Sequence, residues 1–370
     1  MVSHYLTSAV AGVLCIFVSE ATRSCLCQTD DRGRNAIPGI GKFTVPLTNY
    51  NNLQYYCDLN IGSPWQSFKA ALDTAGASWV LSTNCKEDLE VCRDREKYDP
   101  RTSFTHVDGV DVASAPFGNG TVLGKASWDR QRVAGVILPR MPFLRIGKFD
   151  GKKDIYWSTP SNAVLGLEQG PLSFFGTLVR ERLIAEPRLG LFFSRDDTDN
   201  GEALFGGTNS VRFEEPLTYF PALGTYWNFQ LDGIQLGPYG HYCFAGCIAR
   251  PATADPYIGG PPIEIQRINN DMGALKVDSG EWMINCDSIR QLQEIKFTIW
   301  NRTFVLHADH YIVQLDTPNG KRCYSGFIEA VPKGDVTWHL GHVFLRRVYT
   351  VLEWPRDGPG YGQVGFAVAR

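Results

Sequence analysis

The sequence predicts an all-β protein built from two related lobes. Three observations carry that reading: short apolar or alternating runs cut by turn residues, a turn-rich composition, and a motif order that recurs in both halves. At 370 residues the chain is too long for one small core and suits one large β-domain or two lobes. Apolar residues make up 44% and charged residues 20%, the balance of a globular chain rather than a disordered one.

The runs that read as strands are Gln54–Ile61, Phe68–Leu72, Ser78–Leu81, Val133–Leu138, Glu202–Phe205, Trp227–Leu236, Phe297–Ile299, Thr303–His307, Tyr349–Leu352 and Gln363–Val368. Within the Trp227–Leu236 run, Trp227 to Ile234 changes polarity at every second residue for most of its length, the mark of a half-buried strand. Only Phe174–Leu183 and Ile289–Ile295 have helical periodicity, and both are short. Thirty-seven glycines and twenty-one prolines suit a sheet protein with many turns. In each half a strand runs into an acidic triplet, Asp73-Thr74-Ala75 and then Asp278-Ser279-Gly280. Further on, each half carries two residues and a glycine, Val164-Leu165-Gly166 and His339-Leu340-Gly341. One Asp-Ser-Gly is an ordinary turn; the repeated order is what predicts two lobes.

Thirty-six basic and thirty-nine acidic side chains give a net charge of -3, spread along the chain, so nucleic acid is not expected as a partner. Leu6 to Val18 is an apolar run followed by Ser19-Glu20-Ala21, which reads as a signal peptide over residues 1–21; it is short for a membrane span, and no later stretch is long enough for one. Export to a secreted or extracellular location follows, with endolysosomal retention left open. In an oxidising compartment the cysteines should pair rather than bind metal. Cys85 and Cys92 would close one short loop, Cys243 and Cys247 another, and Cys286 and Cys323 would join neighbouring strands. Cys25, Cys27 and Cys57 remain, and one of the first two could tie the N-terminal arm to Cys57.

Several stretches resemble the pepsin and cathepsin D family of aspartic proteases, from about Val45 to Arg370. They are Val45-Pro46-Leu47-Thr48-Asn49-Tyr50, Ile61-Gly62-Ser63-Pro64, Asn162 to Leu167, Phe205-Gly206-Gly207, Tyr226-Trp227 and Leu340 to Arg346. The resemblance implies a bilobal pepsin-like fold with an N-terminal lobe over 45–212, a C-terminal lobe over 213–370, and a short arm or vestigial pro-segment over 22–44. A stretch from about Ile248 to Asn270 reads as an insertion.

The chemistry of that family needs two carboxyl groups sharing a proton over one water, with no metal and no cofactor. The ionised member takes a proton from water, and the protonated member hydrogen-bonds the scissile carbonyl. The resemblance assigns Asp73 and Asp278 as the pair, in loops made by Thr74, Ala75 and Gly76 and by Ser279, Gly280 and Glu281. Phe117-Gly118-Asn119-Gly120 aligns with the tip of the flap that closes over substrate, and Trp79 with the cleft residue beneath it.

Departures from the family pattern weaken the expectation of activity. Ala75 stands where the family has a tight glycine, although Gly76 could take that role in a shifted loop, and Glu281 would add a third carboxylate near the pair. Phe117 gives up a hydroxyl that would bond Trp79. Asn119-Gly120-Thr121 and Asn301-Arg302-Thr303 are acceptor sequences for N-glycans, the first on the flap itself. His342 replaces a buried acid of the family and reads as a core histidine. Two functions are therefore expected: a secreted aspartic endopeptidase, or an inactive relative that keeps the cleft for a peptide or other ligand. Either would be a monomer whose partner is a peptide or protein in the interlobe cleft, without a membrane partner.

Overall fold

The computed structural model describes residues 40–370 apart from 86–91, 118–119, 152–159, 196–198, 225, 279, 318–319, 330–334 and 356–360. The signal and most of the arm, with Cys25 and Cys27, lie outside the described residues.

Strands dominate, as the turn-punctuated runs require. The first half supplies β1 (Phe43–Tyr50), β2 (Gln54–Ile61), β3 (Gln66–Asp73), β4 (Trp79–Leu81), β5 (Val107–Phe117), β6 (Gly120–Val133), β7 (Val136–Gly151) and β8 (Ala163–Gly166). Helix α1 (Phe174–Arg180) follows, then β9 (Arg188–Phe192), β10 (Gly201–Phe205) and β11 (Phe213–Pro221). The second half runs through β12 (Phe229–Leu231), β13 (Gly233–Leu236), β14 (Gly240–Tyr242), β15 (Cys247–Pro251), β16 (Ile258–Gly260) and α2 (Pro262–Asp271). After these come β17 (Leu275–Lys276), β18 (Trp282–Ile284), β19 (Ile295–Ile299), β20 (Arg302–Leu306), α3 (Ala308–Tyr311), β21 (Ile312–Thr317) and β22 (Gly320–Ser325). The chain closes with β23 (Phe327–Glu329), β24 (Trp338–Leu340), α4 (His342–Leu345), β25 (Val348–Glu353) and β26 (Gln363–Ala369).

A thirteen-stranded sheet takes in the first lobe and continues through β1, β10, β9, β25, β26 and β11, so strands from both ends of the chain share one layer. Three smaller sheets build the second lobe. The fold is thus all-β and bilobal. One continuous apolar core runs through both lobes, with Leu47, Tyr55, Leu72, Leu165, Trp227, Phe229, Ile258, Leu340 and Phe366 among its buried members.

The two lobes repeat one strand arrangement. In the first, β3 runs parallel to β8, β8 lies antiparallel to β4, and β4 runs parallel to β7. In the second, β15 runs parallel to β24, β24 lies antiparallel to β16, and β16 runs parallel to β23. The loop from β3 to β4 therefore has its counterpart in the loop from β15 to β16.

Some expected elements shift. Val133–Leu138 is the β6–β7 hairpin rather than one strand, because Ala134 (φ 46°) and Gly135 (φ 84°) both take the left-handed conformation of a two-residue turn. Trp227–Leu236 breaks at Asp232 into β12 and β13. Ile289–Ile295 is not a helix: a 3-10 turn covers Cys286–Gln291, and β19 begins at Ile295. The Ile248–Asn270 stretch is no insertion, since it forms β15, β16 and α2, with Ile265 and Ile268 of α2 fully buried.

Disulfides join Cys85 to Cys92, Cys243 to Cys247 and Cys286 to Cys323. Cys57 is buried as a free thiol, which burial pushes up to about 12. No helix of the described residues is long and apolar enough to cross a membrane.

Candidate functional site

Asp73 ends β3, opposite Gly166 at the end of β8. Its main-chain oxygen accepts the N–H of Leu167 at 2.7 Å, and its Oδ1 accepts the N–H of Ala75 at 2.8 Å. Tight packing fixes the loop. A Cβ on Gly76 would fall 2.3 Å from Asp73 Oδ2, and one on Gly166 would fall 2.5 Å from the Gly76 oxygen. Gly76, not Ala75, is thus the residue that must be a glycine beside this carboxylate.

Thr74 turns toward the second lobe, where it meets Thr253. The Thr74 N–H donates to Thr253 Oγ1 at 3.0 Å, and the Thr253 N–H donates to Thr74 Oγ1 at 3.3 Å. Each hydroxyl then donates to the main chain of the opposite loop, Thr74 to the Pro251 oxygen at 2.6 Å and Thr253 to the Leu72 oxygen at 2.8 Å. Both side chains are almost wholly buried. These bonds relate the two loops as equals: Leu72-Asp73-Thr74-Ala75 matches Pro251-Ala252-Thr253-Ala254. The residue matching Asp73 is Ala252.

Asp278 is therefore not the partner of Asp73. It lies exposed in the turn joining β17 to β18, closed by the Val277 N–H on the Glu281 oxygen and the Gly280 N–H on the Val277 oxygen, both at 2.9 Å. Gly280 has φ +102°, as a turn glycine would. Ser279 falls outside the described residues. Glu281 is half-buried, and its charge adds to burial in raising the Tyr257 phenol. The repeated glycines, Gly166 and Gly341, do follow paired strands; the second acidic triplet belongs to a different loop.

The charges acting on Asp73 come from elsewhere. Burial pushes its carboxyl up to about 6, against the Ala75 N–H; the Asp255 and Glu168 carboxylates raise it further and Arg250 lowers it. Burial also raises Glu168. Asp255 stands three residues after Ala252, as Gly76 stands three after Asp73.

Sequence reasoning missed a polar cluster on the β15–β24 pair, where Arg250 faces His339. His339 Nδ1 lies 3.5 Å from Asp255, and its Nε2 lies 3.0 Å from Asp335 and 2.7 Å from Arg250 Nη2. Burial opposes a charge on His339, but Asp255 and Asp335 outweigh it and hold the imidazole above its usual range. Asp335 in turn is held well below the usual carboxylate range, the bonds from His339 and Thr337 outweighing burial.

The β5–β6 hairpin is formed, with Phe117 opposite Gly120, and its tip at Gly118 and Asn119 falls outside the described residues. Ala115 and Val122 of this hairpin pack with Trp79, Leu81, Leu144 and Val164, tying it to the strands that carry the Asp73 loop. Trp79 is buried, 3% exposed. Asn301 is exposed in the β19–β20 turn with φ 62°, its N–H on Asp232 Oδ2 at 3.0 Å. His342 is wholly buried against Tyr55 and Phe193, and neither ring nitrogen finds a hydrogen bond of ordinary geometry. The histidine is in the core as expected, where a bond to the Thr253 main chain partly offsets the burial that lowers its pKa. Among the described residues no cluster of His, Cys, Asp and Glu could hold a metal.

Two parallel-strand units, joined by reciprocal threonine bonds and carrying a buried acid between them, define a class of two-lobed acid-site proteins. The model for the eukaryotic aspartyl proteases matches residues 54–368, and the chain belongs to that family. It is 30% identical to human napsin-A over 347 residues, covering 90% of this chain and 81% of the relative. It is 29% identical to rat renin over 341 residues, covering 88% and 82%. Bovine cathepsin D is 27% identical over 349 residues, covering 88% and 89%.

Proposed function

We propose that this chain is a non-cleaving member of the family that holds an extended peptide in the cleft between lobes spanning 45–212 and 213–370. The observation that carries this is Ala252. General-base attack by water needs one carboxylate to take a proton and a second, protonated carboxyl to polarise the carbonyl. A methyl group at the second position can do neither. What remains suits binding: a buried carboxyl at Asp73 that is neutral in mildly acidic solution, a hairpin packed on the strands beside its loop, and the charge of Arg250 acting on it.

One observation favours a second reading. Burial is what chiefly raises Asp73, but the Asp255 charge adds to it, and Asp255 could serve as a displaced second carboxylate in slow hydrolysis. Asp255→Asn separates the two, since it would end hydrolysis but leave peptide binding.

Export accords with the three disulfides among the described residues, since such bonds persist in oxidising compartments. A glycan at Asn301 accords with the exposed turn that carries it. We take the protein to act as a monomer. The test is calorimetry of a statine-type peptide with the full chain. Saturable binding that weakens in Asp73→Ala supports the cleft as a peptide site, and no binding between pH 4 and 7 sinks it.

A further inference from the structure

Away from the cleft, a cavity of about 100 Å³ lies among Asn52, Arg195, Asp309, His310, Val343, Arg346 and Arg347. It draws on the β1–β2 turn, the segment after β9, α3 and the end of α4. Among the described residues, three guanidinium groups line it against one carboxylate, that of Asp309, whose side chain is 71% exposed.

The hydrogen bonding of His310 is incomplete in a specific way. Its Nδ1 accepts the His307 N–H at 3.0 Å, so the proton of a neutral ring sits on Nε2. That Nε2 faces Arg195 Nη1 at 2.9 Å, which carries only protons to donate. Asp309 Oδ2 is 3.6 Å from the same nitrogen, beyond hydrogen-bond reach. Two donors therefore point at each other across the cavity wall. An acceptor seated in the cavity beside both nitrogens would take a hydrogen bond from each.

The cations also crowd one another. Burial and Arg195 hold Arg347 below the usual arginine range, outweighing Asp309 and Glu214. Burial, Arg347 and Arg195 likewise push His310 down to about 4, against Asp309. Arg346 is anchored by its bond to the Asn52 oxygen at 2.9 Å, so its guanidinium is held in place at the rim. Asp196 and Asp197, which follow Arg195, lie outside the described residues.

We infer that this cavity binds a tetrahedral oxyanion of the phosphate or sulfate class, held by Arg195 and Arg347 and accepting the Nε2–H of His310. At ~30 Å³ per water, the space suits a few waters or one such ion. Arginine is the side chain whose planar fork matches oxyanion geometry. The group could be a free ion or the phosphate of a phosphorylated side chain.

Thermal unfolding and calorimetry of the full chain with sodium phosphate, and separately with O-phosphoserine, at matched ionic strength in chloride test this. Saturable stabilisation by either ligand supports the site, and the preferred ligand names the source. Arg347→Gln and Arg195→Gln should each weaken binding by roughly tenfold or more. Asp309→Asn should tighten it several-fold, a gain that misfolding cannot imitate. A rise that never saturates and is equal in Arg347→Gln, or no binding at all, would overturn the inference. So would an Asp309→Asn chain that binds no better than the parent.

Discussion

Thr74 and Thr253 hold each other's loops through four hydrogen bonds, each hydroxyl accepting the other's N–H and donating to the main chain beyond it. With both side chains buried, the pair is a joint between lobes that water does not reach. Removing one hydroxyl leaves the Leu72 oxygen and the Thr74 N–H without it. Each stranded buried group costs about 1–3 kcal/mol. Thr253→Val should therefore destabilise the protein by roughly 2–6 kcal/mol, while Thr253→Ser stays close to the parent. Urea denaturation of the three proteins checks this; equal midpoints would show that the joint carries no stability.

Gly76 is the second lever on the first loop. A methyl group there meets Asp73 Oδ2 with no free space between them. Gly76→Ala should cost on the order of 1–3 kcal/mol and move the titration of Asp73. Ala75→Gly should change neither by much. Carboxyl titration by NMR with a matched melting curve distinguishes the two positions.

These two loops also show what the residues disclosed and what they hid. The fold was readable because β-patterning and turn residues are local, and because the family stretches are spread from Val45 to Arg346. The β5–β6 hairpin and the Cys85–Cys92, Cys243–Cys247 and Cys286–Cys323 pairs were readable too. The second loop was not, because the position matching Asp73 carries no acid. Asp278-Ser279-Gly280 offers one in an ordinary hairpin turn, while the true counterpart, with alanine in its place, reads as an insertion. The signal present was threonine: Asp73-Thr74-Ala75 and Ala252-Thr253-Ala254 agree in their last two residues. The polar cluster at Arg250 and His339 was hidden because it forms only where β15 and β24 run side by side. The arginines around His310 converge from separate segments, which no local pattern can foretell.

Asp73 makes stability depend on pH with a definite sign. Its folded pKa of about 6 exceeds the ordinary value of 3.8, so the folded state holds the proton more tightly. That contribution is full below pH 3.8 and is lost as pH rises through 6. One pH unit between those two values is worth about 1.4 kcal/mol. Asp73→Asn should thus stabilise the protein at pH 7 by up to roughly 3 kcal/mol, and by little at pH 3.5. Melting temperatures at the two pH values measure this; an equal effect at both would contradict the buried-carboxyl reading.

His342 works in the opposite direction. Burial, with the Arg346 charge, lowers its pKa from 6.5 to about 3. Below 6.5 the unfolded chain binds a proton that the folded chain refuses, so stability falls as pH drops toward 3. The slope reaches about 1.4 kcal/mol per pH unit. His342→Leu should flatten the decline between pH 6.5 and 4. A parent protein whose stability changes with pH just as that of His342→Leu does would show that burial does not lower the histidine's pKa.

The central claim is that Ala252 leaves Asp73 without a partner for hydrolysis. It is tested most directly by incubating the parent chain with denatured globin from pH 3 to 7 beside two variants, Asp73→Asn and the double substitution Ala252→Asp with Asp255→Gly. The account predicts no cleavage by the parent or by Asp73→Asn, and new cleavage in the double variant that a further Asp73→Asn removes. Cleavage by the parent that disappears with Asp73→Asn would contradict it.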